Sequence, residues 1–283
     1  MSRAFVFPGQ GAQTIGMGRA LAEAYPAAKA VFDEVDAALG EKLSALIWEG
    51  DIAELTLTQN AQPALMATSI AALRALESEG MGLDQAQFVA GHSLGEYSAL
   101  CAAGALDLSD TARLLRVRGR AMQEAVPVGV GAMAVLLGMG FEAAMEVAAE
   151  AAQGEVCQAA NDNDPAQVVV SGHKAAVERA VEIAKARGAK RAMLLPVSAP
   201  FHCALMQPAA AVMSEALAGV AGVAAVAGAT AAGSVTTAGL AGVTGIASAW
   251  AKAPQEAIAR ADAVSDFLSI SVFTGHGDVA MHL

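Results

Sequence analysis

The chain has 283 residues, 55% of them hydrophobic and 4% aromatic, enough for an aliphatic core in one large domain or a large and a small one. A formal net charge of −11 excludes a general nucleic-acid binder, so an anionic ligand needs a local basic site. Cys101, Cys157 and Cys203 are scattered and odd in number; they form neither a disulfide framework nor a metal pattern, and they fit a reducing, cytoplasmic setting.

The apolar run Ala4–Phe7 is too short for a signal peptide and reads as a buried strand, closed by Pro8-Gly9-Gln10-Gly11. Gly9-Gln10-Gly11 falls short of a dinucleotide fingerprint because Thr14 stands where the last glycine belongs, so no nucleotide cofactor is read. Helices are predicted over 17–24, over 27–39 with Gly40 as the stop, and over 62–78 with Pro63 in the first turn. A short strand, 88–90, then runs into Gly91-His92-Ser93-Leu94-Gly95, and good helix formers follow to 103.

That context matters more than the pentapeptide itself, because G-x-S-x-G also occurs in surface turns. A strand turning sharply into a helix holds the serine on a strained corner with its Oγ exposed. The Leu94 N–H then sits at a helix start, where unpaired amides and the dipole favour an oxyanion. A helix over 109–125 carries Arg113, Arg116, Arg118 and Arg120. Beyond Pro127 and Gly129 the order is strand 132–137, helix 141–152, strands 156–160 and 167–171, helix 175–187 and strand 192–196.

This β-α-β-β-α-β order is that of a split, ferredoxin-like unit. The expected fold is α/β: a main domain with a parallel sheet, over 1–128 and 198–283, and an inserted small domain over 129–197. Pro196–His202 returns the chain to the main domain and delivers a histidine on a loop, followed by a helix over 206–217. From 216 to 251 no charge and no proline occurs; the stretch has the length of a membrane span, but glycines and weakly hydrophobic alanines argue against one. One further helix is expected at 254–263.

Five motifs carry a resemblance: Phe7–Gln13, Gln62-Pro63-Ala64-Leu65, Gly91–Ser98, Arg118–Gln123 and Pro200–Met206. In that order, over about residues 3–219, the chain resembles the bacterial malonyl-coenzyme A:acyl carrier protein transacylases of fatty acid synthesis, whose main domain is α/β-hydrolase-like. The resemblance implies a malonyl-serine intermediate on Ser93, with His202 as the base that accepts the serine proton. It implies N–H groups of Leu94 and Gln10 around the oxyanion, and Arg118 as a two-pronged clamp on the malonyl carboxylate. Gln62, His92 and Asn161 are pocket candidates, and Asn163 and Gln167 also match the pattern.

Malonyl-CoA and acyl carrier protein are the implied partners; their thioesters are substrates, and no cofactor, metal, nucleic acid or membrane is expected. The protein is expected to be a cytoplasmic monomer. Arg187, Lys190 and Arg191, with the arginines of 113–120, are the candidate basic surface for coenzyme A and the carrier. His173, His276 and His282 read as solvated, without ligand spacing. The family pattern fades after 219, as a shifted reading frame or a divergent C-terminus would make it, and Gln255 lacks the context of the family's histidine-orienting glutamine. Rival readings are a serine thioesterase or esterase and a non-catalytic carrier-binding protein.

Overall fold

The structure, a computed structural model, describes residues 3–197, 199–220, 269–274 and 277–282, the last two stretches by backbone alone. Most of the uncharged stretch, the helix expected at 254–263, Gln255 and His276 lie outside the described residues. The described residues fall into two compact units, one of 3–120 with 215–220 and the two C-terminal strands, the other of 121–214.

The first unit opens with strand β1 (Ala4–Phe7), then helices α1 (Arg19–Ala24), α2 (Pro26–Leu39), α3 (Leu43–Glu49), α4 (Ile52–Thr56) and α5 (Thr58–Ser78). Strand β2 (Phe88–Gly91) and helix α6 (Gly95–Ala102) follow, and α7 (Leu108–Glu124) runs past the unit's limit at residue 120. β1 and β2 pair in parallel with Phe7 opposite Gly91, and Phe5 and Phe7 are fully buried beneath them. On the other side of β1 lies an antiparallel hairpin, β7 (Ser269–Thr274) and β8 (Gly277–His282), where the sequence shows no closing element.

The spine of this unit is α5. It is buried on almost every side from Asn60 to Leu73, because Ala61, Ala64, Ala67, Ala71 and Ala72 leave room for neighbours all round. Pro63 is the sixth residue of this helix, not a first-turn residue. The polar run Thr58-Gln59-Asn60 shows no apolar period, yet packing carries the helix upstream of the proline: a Cβ on Gly119 of α7 would stand 2.6 Å from the Thr58 carbonyl oxygen and 2.5 Å from Gln59 Cα. Only a glycine lets α7 come so close.

The second unit comprises β3 (Gly131–Leu137), α8 (Phe141–Ala152), β4 (Cys157–Asp164), β5 (Gln167–His173), α9 (Lys174–Ala186), β6 (Arg191–Leu194) and most of α10 (Gln207–Ala218). Its sheet is antiparallel in the order β4-β5-β3-β6. Strand alternation sorts β5: Val168 and Val170 join the core that Val147, Val177 and Ala180 of α8 and α9 complete, while Val169 joins Met133, Phe201 and Met206. β4 runs four residues beyond its expected end at 160, through a bulge between Ala159 and Asn161. An edge strand tolerates the polar run Asn161–Asp164, which is why composition alone hides it.

Candidate active site

Two glycines make the corner that carries Ser93. A Cβ on Gly91 would lie 1.9 Å from the carbonyl carbon and oxygen of Gly95, and one on Gly95 would lie 2.3 Å from the Phe7 carbonyl oxygen. Strand β2 therefore touches the start of α6 directly, and both fold over the end of β1. Backbone bonds from His92 N–H to Phe7 O (3.0 Å) and Gly95 N–H to His92 O (2.8 Å) tie the turn. Ser93 is held at φ +53°, a left-handed conformation that a non-glycine residue adopts only when its surroundings enforce it. The half-buried side chain sits at the end of β2 with α6 beginning behind it.

The serine has a cation beside it. Arg118, on α7, donates through Nη2 to Ser93 Oγ at 3.1 Å and through Nη1 to Gln62 Oε1 at 2.7 Å. Gln62 is 1% exposed on α5, so its carbonyl is a fixed acceptor, and the close approach at Gly119 brings Arg118 to it. The Tyr97 ring of α6 lies against the guanidinium, 5.7 Å from centroid to Cζ. Among the described residues Arg118 has no ion-pair partner, although its neighbours Arg116 and Arg113 pair with Glu41 and Asp110. Burial holds the Arg118 pKa below its ordinary value, and Tyr97 and Glu96 oppose that shift. Glu96 in turn is pushed up by burial and drawn back by Arg118. A half-buried guanidinium with donors to spare and, among the described residues, no carboxylate at ion-pair distance is a site for an anion.

The remaining candidates fall as follows. Leu94 is buried at the start of α6, where a helix cannot satisfy its own first amides. Gln10 follows β1, and its side-chain amide donates to Thr58 Oγ1 at 3.3 Å. His92 lies against Gly9, where a Cβ would come within 2.4 Å of Nδ1. His202 and Asn161 belong to the second unit. His202 is half-buried at φ +59°, and its loop is fastened on either side: Cys203 Sγ contacts the Pro200 carbonyl at 3.2 Å, and Ala204 N–H donates to Gln158 Oε1 at 2.7 Å. Asn161 lies just after the β4 bulge, opposite Val169.

Tyr97, Thr58 and Gln158 were not among the sequence candidates. Tyr97 has a sequence signal, four residues after the serine and so in the first turn of α6. Thr58 and Gln158 have none, since their partners Gln10 and Ala204 are 48 and 46 residues away. The candidate basic surface is neutralised in part: Arg187 is held by Glu146 and Glu150, Arg113 by Asp110 and Arg116 by Glu41, while Arg120, Lys190 and Arg191 are exposed. Among the described residues no cluster of His, Cys, Asp or Glu could hold a metal, and no helix is long and apolar enough to cross a membrane.

Comparison with known proteins sets this arrangement in context. Residues 4–271 match the family described as the acyl transferase domain, so the match continues past about 219, where the sequence resemblance fades. The malonyl CoA-acyl carrier protein transacylase of Bacillus subtilis (strain 168) is 56% identical over 215 residues, 76% of this chain and 67% of that one. The crystal structure of acyl-carrier-protein-S-malonyltransferase from Bartonella henselae is 59% identical with a TM-score of 0.75, covering 78% of this chain and 70% of that chain. A malonyl-transacylase solved in complex with a type II PKS acyl-carrier protein is 48% identical, with a TM-score of 0.74 over 77% of this chain and 70% of its own.

Proposed function

The chain belongs to the acyl transferase family, and on that premise we propose that it moves a malonyl group from malonyl-CoA to the phosphopantetheine thiol of acyl carrier protein, through an ester on Ser93. One observation carries the choice of acyl group: the Arg118 guanidinium stands within hydrogen-bond distance of Ser93 Oγ. In a malonyl-serine ester the free carboxylate is separated from the acyl carbon by a single methylene. A cation that reaches Oγ therefore reaches that carboxylate as well, and an acetyl group has nothing to offer it. The fork of the arginine suits a planar carboxylate better than the point charge of a lysine.

In the first half-reaction Ser93 Oγ attacks the thioester carbonyl and its proton passes to His202. The tetrahedral oxyanion is met by the N–H groups of Leu94 and Gln10, and the coenzyme A thiolate leaves with the proton from the imidazolium. In the second, the carrier's thiol gives its proton to His202 and attacks the ester, and Ser93 Oγ takes that proton from the imidazolium as it departs. Support for the oxyanion role of Leu94 is its place at the start of α6; support for His202 is its left-handed conformation on a loop fastened by Gln158. Gln62 holds Arg118, and His92 and Asn161 are read as pocket residues. No cofactor is invoked, since both thioesters are substrates.

We read the first unit as α/β-hydrolase-like and the second as ferredoxin-like, the latter from its βαββαβ order and its β4-β5-β3-β6 sheet. The three buried free cysteines fit a reducing, cytoplasmic setting, and the family favours transfer to a thiol over hydrolysis or a purely carrier-binding role. Intact-mass measurement after mixing with malonyl-CoA tests the reading. The wild type gains one malonyl group, Ser93→Ala gains none, and addition of the carrier protein's holo form removes the label. A persistent adduct on Ser93→Ala, or preferential labelling by acetyl-CoA, overturns it.

A further inference from the structure

Among the described residues Arg118 is held by two hydrogen bonds and one ring, and the ring differs in kind from the bonds. A guanidinium has five N–H donors in one plane, of which Gln62 and Ser93 engage two. Any acceptor added to that plane to steady the side chain would use up donors, and a carboxylate would also cancel the charge. The Tyr97 ring lies 5.7 Å from Cζ, on a helix distinct from those carrying Gln62 and Arg118, and a π-face attracts a cation without accepting its N–H groups. Burial pushes the Tyr97 phenol above its ordinary pKa, with Arg118 opposing the shift and Glu96 adding to it, so the ring stays neutral at the guanidinium.

We propose that Tyr97 is a positioning residue, whose ring face fixes the Arg118 guanidinium in the plane that keeps its free donors and its full charge available for the acyl carboxylate. The inference rests on the reading of Arg118 given above. It assigns to the residue four positions after the serine a part in acyl selection, through another side chain and without contact with the reacting atoms. An arginine has many rotamers to lose, so a platform that removes them before the substrate arrives tightens binding of the diacid half-ester in particular.

The test separates the ring's electrons from its bulk. Phenylalanine at position 97 and a series of increasingly fluorinated phenylalanines there keep shape while weakening the π-face stepwise. Expected are a KM for malonyl-CoA close to wild type in Tyr97→Phe, and a KM that climbs with fluorination to about fivefold to thirtyfold, the span of a desolvated cation–π contact. The turnover number and the rate of Ser93 labelling by acetyl-CoA should stay level. Tyr97→Leu should resemble the most fluorinated variant. A flat KM across the series overturns the proposal, as does a loss of malonyl and acetyl labelling in equal proportion. Arg118→Ala run alongside keeps the two claims apart. If it leaves the malonyl-to-acetyl preference intact, the reading of Arg118 fails. If it abolishes the preference while the fluorinated series stays flat, only the role of Tyr97 fails.

Discussion

Gly91→Ala is the most exacting test of the nucleophile corner, because the structure states what the extra methyl would meet. Its carbon would stand 1.9 Å from the Gly95 carbonyl and 2.4 Å from the Glu96 nitrogen, and all of these are backbone atoms with no rotamer to change. To restore ordinary contact, β2 and the first turn of α6 must part by roughly 1.5 Å or more, and Ser93 lies between them. Overpacking of this kind costs about 1–3 kcal/mol. For a chain of this size that is a fall of roughly 2–10 °C in Tm. The chemical penalty is larger, because a nucleophile displaced by about 1 Å can lose on the order of 100-fold in rate. The assay is single-turnover malonylation of Ser93 read by quenched mass spectrometry, with thermal unfolding measured on the same preparation. Gly140→Ala is the control: at the N-cap of α8 its Cβ would meet Pro165 O at an ordinary 3.6 Å, so the labelling rate should hold while Tm falls only slightly from the poorer cap. Labelling of Gly91→Ala at the wild-type rate, with an unchanged Tm, would refute the argument that this glycine is required by contact.

Three further outcomes follow from other parts of the molecule. Arg118→Lys keeps a cation but cannot hold Gln62 and Ser93 in one plane, so steady-state kinetics should show the KM for malonyl-CoA raised about tenfold or more, as expected for one lost charged hydrogen bond. Asp36 is 4% exposed and accepts from both Ser44 N–H (2.9 Å) and Ser44 Oγ (2.6 Å), fastening α3 to the end of α2; Asp36→Ala should lose about 1–3 kcal/mol in urea unfolding. Burial raises the pKa of all three thiols, that of Cys157 to about 11, with the neighbouring Cys203 adding to the shift. Iodoacetamide at pH 8 should therefore leave them unmodified in the native protein and label them in denaturant. The sign of the linkage is set by the same shift. Cys157 stays neutral in the fold after it would ionise in the unfolded chain, so its contribution is present below the unfolded pKa of about 8.5 and is lost as pH rises toward about 11. Unfolding free energies that rise over that interval would contradict it.

What could be read in advance depended on whether the cause of a feature was local. The corner at Ser93 was legible because two glycines and the change of pattern around them are its physical cause, and each glycine meets backbone within the motif or at the end of β1. The order of elements from β3 to β6 was legible for a similar reason, since alternation and helical period are local properties. Local patterns also misled. Helices of two turns or fewer, such as α3 and α4, are too short to show a period, and Asp51, which caps α4 by accepting from Ala53 and Glu54, passed without notice. Pro63 invited a helix start that packing against Gly119 overrode. Position alone could not show how Arg118 is held: Gln62 is 56 residues upstream, and the ring that faces the guanidinium belongs to a different helix. The charge of an arginine is written in the chain, but whether a carboxylate cancels it is decided by tertiary structure. Arg113 and Arg116 are cancelled and Arg118 is not, although all three lie on one helix within six residues. On the role proposed for Arg118, that difference singles out one of several similar side chains, and it arises from the packing of α5, α6 and α7 more than from any motif.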